Sequence, residues 1–227
     1  MFVHVESRRR TGLRWATPLL VTTCVLGFLW LALAPPPTRI AFIARWGTVP
    51  ARLFDADAPL WSQLTELPAL RLLTALFIHV DWLHLAGNLL FLMVFGLSAE
   101  RALGSRRFLL LFLLGGAWAN LVGALTLAST RAPIIGCSGA VSAVVGAYLA
   151  LFPRARLGLV LPLGFYLEFV RVPAALLIGL WILLQLLFTY IGPTFGAVVW
   201  WAHIAGFLFG IAFAWVSREA VARRARG

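Results

Sequence analysis

Several stretches of this chain are apolar over about 20 residues, the length that an α-helix needs to cross the hydrocarbon core of a bilayer. Over the whole chain 62% of the residues are hydrophobic and 12% are charged, whereas a soluble domain carries about twice that charged fraction. A backbone inside lipid must satisfy its own hydrogen bonds, and a helix does so. The sequence therefore predicts an all-α polytopic membrane protein that forms one compact bundle.

The apolar runs and their polar boundaries predict six spans. They cover residues 17–34, 81–99, 107–128, 137–152, 173–190 and 199–217. The predicted organisation is then an N-terminal tail over residues 1–16, a six-helix membrane domain over 17–217 and a basic tail over 218–227.

Two connections are long enough to predict separately. Residues 35–76 form a long outer loop between the first two spans, and their mixture of charges with tryptophan and leucine is typical of interfacial structure. The stretch 157–172 is fairly apolar but contains Pro162, Gly164 and Glu168. We expect it to be a connection at the membrane face.

The positive charge follows the predicted topology. All 19 basic residues are arginine, and 14 of them lie in the termini and in the connections after spans two and four. The positive-inside rule then places both termini in the cytoplasm. The Ala-, Gly-, Leu- and Arg-rich composition is typical of a bacterial protein, which would place the chain in the cytoplasmic membrane. Topology explains the arginines better than nucleic-acid binding does, so we expect no nucleic-acid partner.

Four polar side chains inside the spans need a reason, because polar groups in lipid are costly. Ser138 begins the fourth span, His84 and Asn88 share a face of the second, and His203 lies in the sixth. At 1.5 Å rise per residue, the last three lie roughly 5–10 Å below the outer boundary. We expect these four side chains to meet at one level of the bundle.

A serine beside an imidazole is a nucleophile–base pair, and neighbouring amide and imidazole groups supply the donors that an oxyanion needs. Of the carboxylates, only Asp81 lies near the outer end of the spans. The residues therefore favour a Ser–His dyad without a carboxylate. Taken alone, His84 and Asn88 are better explained as polar ties between helices.

These residues also form three ordered motifs by which the chain resembles the rhomboid intramembrane serine proteases of the bacterial six-span type. They are His79, His84 and Asn88 as HxxxxHxxxN, Gly136-Cys137-Ser138-Gly139 as GxSG, and Ala202-His203-Ile204-Ala205-Gly206 as AHxxG. The resemblance covers residues 70–217. It implies a compact six-transmembrane-helix rhomboid-like bundle.

The resemblance also implies roles for the residues. Ser138 would be the nucleophile and His203 the general base and acid, while His84, Asn88 and the backbone N–H of Ser138 would form the oxyanion hole. Structural support would come from His79 and from glycines in the motifs and at helix contacts, namely Gly136, Gly139, Gly206 and Gly210. Neither a cofactor nor a metal is implied.

The implied substrates are single-span membrane proteins, cut in or near a membrane segment that unwinds locally. Entry would occur beside the fifth span, with residues 191–196 as a mobile cap.

Two departures from the family pattern are Leu70, where a tryptophan is common, and Ser142, where an aromatic residue often packs on the catalytic histidine. Ser142 therefore leaves open how His203 is held.

Two other functions remain as alternatives. A catalytically silent rhomboid-like protein would bind membrane-protein clients, but such proteins typically lose the serine or the histidine, and this chain keeps both. A transporter would usually show repeated halves with broken helices, and residues 1–113 and 114–227 show no such repeat.

Overall fold

The structure, a computed structural model, describes residues 13–53, 68–163, 166–191 and 200–226. In that part of the chain the elements follow in this order: α1 Ala16–Leu33, α2 Pro36–Trp46, α3 Pro50–Leu53, α4 Pro68–Thr74, a 3₁₀ turn Ala75–Phe77, α5 Trp82–Phe91, a π-helical turn Leu92–Gly96, α6 Leu97–Leu103, α7 Ser105–Thr126, α8 Ser138–Leu151, β1 Arg156–Leu163, β2 Tyr166–Pro173, α9 Ala174–Ile191, α10 Trp200–Val216 and α11 Arg218–Arg226.

The helices confirm the predicted polytopic bundle. Among the described residues, three are long and apolar enough to cross a membrane: Ala16–Leu33, Trp82–Leu103 and Ser105–Thr126. A fourth span forms if α10 is counted together with α11, which is bent from it by 56°. The segments Ser138–Leu151 and Ala174–Leu187 are apolar but shorter. The chain is therefore an integral membrane protein.

Helix α8 is the centre of the bundle, and every residue from Gly139 to Tyr148 in it is buried. Small residues let its neighbours approach closely. A Cβ added to Gly139 would lie 2.5 Å from the Cβ of Ala119 on α7, and one added to Gly206 of α10 would collide with the carbonyl of Gly139. Such backbone proximity is how helices gain packing energy in lipid, where no hydrophobic force drives them together.

Hydrogen bonds tie the described part of the connection between α1 and α5 to neighbouring segments. Thr48 forms an isolated antiparallel bridge with Ile134, and its hydroxyl donates to the carbonyl of Arg71 at 2.8 Å. Thr74 donates to the carbonyl of Trp46 at 2.7 Å. These bonds hold α2 and α4 against the segment that leads to α8. The part of this connection over residues 54–67 lies outside the described residues.

The sequence missed one element. Residues 157–172, expected to be a connection at the membrane face, fall within an antiparallel hairpin in which Arg156 pairs with Pro173 and Leu163 with Tyr166. Pro162 argues against a regular strand in the sequence, but both strands of a two-stranded hairpin are edge strands. Proline is tolerated there, because one side of each strand needs no ladder hydrogen bond.

The predicted domain boundaries remain predictions. Of the N-terminal tail predicted over residues 1–16, residues 1–12 lie outside the described residues. The C-terminal segment continues as the short helix α11, whose Val221 packs against the bundle core.

Candidate active site

Ser138 is the first residue of α8, directly after a turn that only glycine suits. Gly136 has φ +96°, a left-handed conformation that side chains rarely adopt. Its N–H donates to the carbonyl of Ala75 at 2.9 Å, and a Cβ there would lie 2.5 Å from the Nε2 atom of His84. The turn therefore brings the backbone before Ser138 against the His84 ring.

The structure brings Ser138 and His203 into hydrogen-bonding contact. The Oγ atom of Ser138 lies 2.8 Å from the Nε2 atom of His203, although 65 residues separate them along the chain. The close packing of α8 and α10 at Gly139 and Gly206 sets this distance. A hydroxyl in this position can transfer its proton to a neutral imidazole.

The His203 ring is held from its other side by α9. Its Nδ1 atom lies 3.2 Å from Oε1 of Gln185. Trp181, one turn earlier on α9, stacks on the ring with centroids 6.5 Å apart, and Trp200 meets it edge-on at 5.9 Å. Ser142 takes no part in this support, since its hydroxyl donates to the carbonyl of Ser138 at 2.7 Å.

His84 and Asn88 lie one turn apart on α5. Asp81 caps this helix, because its Oδ1 accepts from the backbone N–H of His84 at 2.7 Å. The side-chain Nδ2 of Asn88 donates to the carbonyl of His84 at 2.9 Å. One hydrogen of the Asn88 amide group is thus engaged within its own helix, and an amide nitrogen has two.

A cavity of about 590 Å³ lies beside Ser138, His203 and His84, and Asn88 is not among the residues that line it. Its lining includes Ser138, His203, His84, Gly136 and Asp81, together with Asn120 of α7. A volume of a few hundred cubic ångströms is that of an ordinary small-molecule or peptide pocket. The lining puts the hydroxyl, both imidazoles and the capping carboxylate around one space.

His79 lies outside the membrane-spanning helices and is fully buried. Its Nε2 atom lies 3.5 Å from both the backbone nitrogen and the Sγ atom of Cys137, and its ring centroid is 5.1 Å from that of His84. Burial, followed by repulsion from His84, lowers the pKa of His79 to about 4. His79 is therefore neutral near pH 7 and packs behind the Ser138 turn.

The remaining predicted support residues lie at helix contacts. A Cβ on Gly210 would collide with the carbonyl of Ala143, as one on Gly206 would with that of Gly139. Both glycines lie on the face of α10 that also carries His203. Of the predicted cap over residues 191–196, residues 192–196 lie outside the described residues.

Sequence reasoning missed three residues near the site, namely Asn120, Trp181 and Gln185. Asn120 donates to the carbonyl of Leu72 at 2.9 Å and lines the cavity. Asn120 and Gln185 are polar residues in the middle of apolar runs, so the same cost argument that singled out Asn88 also applies to them. Trp181 gave no such signal, because tryptophan is unremarkable in a membrane helix.

A protein metal site needs several donor side chains directed at one point. Among the described residues, no group of three or more His, Cys, Asp or Glu side chains is arranged to hold a metal ion. Cys24 and Cys137 are buried and carry free thiols.

The fold and site together define a polytopic helical membrane protein with a serine–histidine pair facing an internal cavity. Residues 67–220 match the family model for the Rhomboid domain, which is more than half of the chain. The chain therefore belongs to the rhomboid family.

Curated relatives from Arabidopsis thaliana agree with this assignment. The chain is 33% identical over 128 residues to RHOMBOID-like protein 12, mitochondrial, in a match that covers 49% of this chain and 36% of the relative. It is 44% identical over 68 residues to Rhomboid-like protein 11, chloroplastic, covering 30% and 24%. RHOMBOID-like protein 5 is 32% identical over 80 residues, covering 35% and 26%. The chain thus spans only about a quarter to a third of these relatives.

Proposed function

We propose that this protein is an intramembrane serine endopeptidase in which Ser138 and His203 form the catalytic dyad. The observation that carries the proposal is the 2.8 Å contact between Ser138 Oγ and His203 Nε2 at the wall of the cavity. Family membership supports the same class of activity.

In the first step the Ser138 oxygen attacks the scissile carbonyl carbon while Nε2 of His203 accepts the hydroxyl proton. The imidazolium then gives that proton to the leaving amine, and an acyl-enzyme ester remains on Ser138. A water molecule, deprotonated by the same Nε2, hydrolyses the ester and regenerates the hydroxyl. These are the general-base and general-acid roles that one histidine plays in both halves of acyl transfer.

The tetrahedral intermediate carries a negative oxygen that needs donors. Ser138 is the first residue of α8, and the first N–H groups of a helix have no acceptor within it. The positive end of the helix dipole favours an anion at the same place. His84 at the cavity wall and the second hydrogen of the Asn88 amide are the proposed side-chain donors.

The proposed substrates are single-span membrane proteins within the lipid bilayer. A regular helix hides its carbonyls in its own hydrogen bonds, so the cleaved segment must unwind before Ser138 reaches it. Small or helix-breaking residues near the outer end of the substrate span would ease that step. The cavity supplies room for both the unwound strand and the hydrolytic water.

We also propose that both termini face the cytoplasm, in a bacterial cytoplasmic membrane. The arginine distribution supports this orientation, with 14 of 19 on the side of the termini. Two of the relatives are named mitochondrial and chloroplastic, so they give no support to a bacterial membrane. The assignment to the bacterial cytoplasmic membrane is based on the amino-acid composition.

The test is cleavage in liposomes of a model single-span substrate with a helix-destabilised outer end. We expect the wild type to cleave it and both Ser138→Ala and His203→Ala to be inactive. Ser142→Ala is the matched control, since it also removes a serine hydroxyl, one turn further along the same helix. Cleavage that survives Ser138→Ala would overturn the proposal. Stable capture of membrane proteins without cleavage would favour the client-binding alternative.

A further inference from the structure

We propose that Gln185 is a positioning residue for His203, filling the place that a carboxylate holds in a conventional triad. This inference rests on the proposed function. In this role, Oε1 of Gln185 selects the imidazole tautomer of His203 that leaves Nε2 free to accept the proton of Ser138.

The contact itself has only one productive arrangement. A neutral imidazole carries one N–H, on either Nδ1 or Nε2. The Oε1 atom of Gln185 can only accept, so its 3.2 Å contact to Nδ1 requires the proton to be on Nδ1. Nε2 then has a free lone pair, which faces the Ser138 hydroxyl at 2.8 Å. The two contacts therefore favour the same proton arrangement.

The described carboxylates near the spans are already engaged elsewhere. Asp81 accepts from the His84 N–H as the cap of α5. Glu100 accepts from Ala16 and Thr17 at the start of α1 and from Ser105 at the start of α7. The amide of Gln185 thus supplies orientation to His203 without a negative charge.

The location of Gln185 also argues for a specific role. Only 6% of its surface is exposed, on a helix that is otherwise almost entirely apolar. Trp181 lies four residues earlier, on the same face, and stacks on the same ring. Two side chains of α9 therefore fix the plane and the tautomer of His203, which answers how the ring is held with serine at position 142.

A different role is an ordinary polar tie between α9 and α10, which would support stability alone. The two roles differ in what they do to the chemical step. Partners that orient a metal-binding histidine typically contribute about 10–100-fold to metal affinity or activity, and we expect an effect of similar size for a partner that orients His203. A simple helix tie would change melting without selectively changing kcat or the tautomer.

The experiment compares wild type, Gln185→Leu and Gln185→Glu in three measurements. These are cleavage kinetics in liposomes, thermal melting, and the ¹⁵N shifts of the His203 ring in histidine-labelled protein at mildly alkaline pH. We expect Gln185→Leu to lower kcat about 10–100-fold with KM nearly unchanged, and to move the ring proton toward Nε2. Gln185→Glu keeps an acceptor at the same place, so it should retain the Nδ1–H tautomer and restore most of kcat.

Three results would overturn the inference: an Nε2–H tautomer in the wild type, an unchanged kcat in a folded Gln185→Leu variant, or a rise in KM alone. If Gln185→Leu does not fold, the wild-type and Gln185→Glu ring shifts still decide the tautomer. If the wild type cleaves nothing, the proposed function fails, while the ring shifts independently test the Gln185 contact.

Discussion

The carboxylate of Glu100 caps the first transmembrane helix at Thr17, 83 residues away along the chain. It accepts from the Thr17 backbone N–H at 3.0 Å and from the Thr17 hydroxyl at 2.6 Å. The N–H of Ala16 and the hydroxyl of Ser105 donate to its other oxygen. An acidic side chain at a helix N-terminus also suits the helix dipole. Glu100 thus joins α1, α6 and α7 at the end of the bundle opposite Asp81.

The first prediction concerns this cap. Glu100→Gln leaves one acceptor and places an NH₂ group among donors, so two or more buried hydrogen bonds are lost. We expect a destabilisation of about 2–4 kcal/mol. Thermal melting in detergent measures it. Glu219→Gln, the same change at an exposed position of α11, is the matched control, and equal melting of the two variants would contradict the cap.

The second prediction concerns the contact between α8 and α10. A Cβ at position 206 collides with the carbonyl of Gly139, so Gly206→Ala must push the helices apart and lengthen the Ser138–His203 contact. We expect a loss of about 1–3 kcal/mol together with reduced turnover.

Gly179→Ala is the control for that change. Position 179 is also in a helix, but nothing lies within 4 Å of its added Cβ. There the alanine should be neutral or stabilise the fold by up to about 1 kcal/mol. Equal effects of the two alanines would show that the close approach at Gly206 has no energetic consequence.

The third prediction concerns pH. The pKa of His79 is about 4 in the folded protein because of burial, against an ordinary value near 6.5. Below pH 6.5 the unfolded chain therefore binds a proton that the folded one rejects. Stability is fully present above that pH and falls toward pH 4, by about 3 kcal/mol from this group.

His79→Gln removes the titrating group but keeps a neutral polar side chain. Its melting temperature should therefore fall less steeply between pH 6.5 and pH 4 than that of the wild type. Parallel pH profiles would contradict the assignment of this loss to His79.

The fourth prediction concerns the oxyanion donors. Removal of one positioned donor typically lowers kcat about 10²–10³-fold, and we expect this for His84→Ala and Asn88→Ala. The comparison is Asn120→Ala, which removes an amide that lines the cavity and donates to the carbonyl of Leu72. We expect its kcat to fall less than about 10-fold, by lost packing only. If kcat falls equally in Asn88→Ala and Asn120→Ala, Asn88 has no specific role as an oxyanion donor.

The helices were largely predictable because their signal is strong and local. The run predicted over residues 137–152 is a helix over Ser138–Leu151, and the one predicted over 199–217 is a helix over Trp200–Val216. Apolar runs of this length, bounded by arginine and proline, leave little choice inside lipid. Gly139 and Gly206, named from the motifs as support residues, lie where α8 and α10 approach each other closely.

Other features depended on contacts between distant segments. The hairpin over Arg156–Leu163 and Tyr166–Pro173 is held by hydrogen bonds between its two strands, which no periodic pattern in the sequence indicates. The contacts that hold His203 could not be predicted from the sequence for a similar reason. Gln185 and Trp181 reach the ring only because of the way in which α9 packs against α10. The motifs identified Ser138 and His203 as candidate catalytic residues. The 2.8 Å distance between Ser138 Oγ and His203 Nε2, however, depends on tertiary packing.

The central claim is that His203 activates Ser138 as a nucleophile, and covalent labelling tests it most directly. The protein in liposomes is treated with a fluorophosphonate, and the modified residue is identified by peptide mass spectrometry. We predict a single phosphonyl adduct on Ser138, little or no labelling in His203→Ala, and normal labelling in Ser142→Ala. Labelling of Ser138 at the same rate with and without His203, or an adduct on another residue such as Cys137, would contradict the dyad.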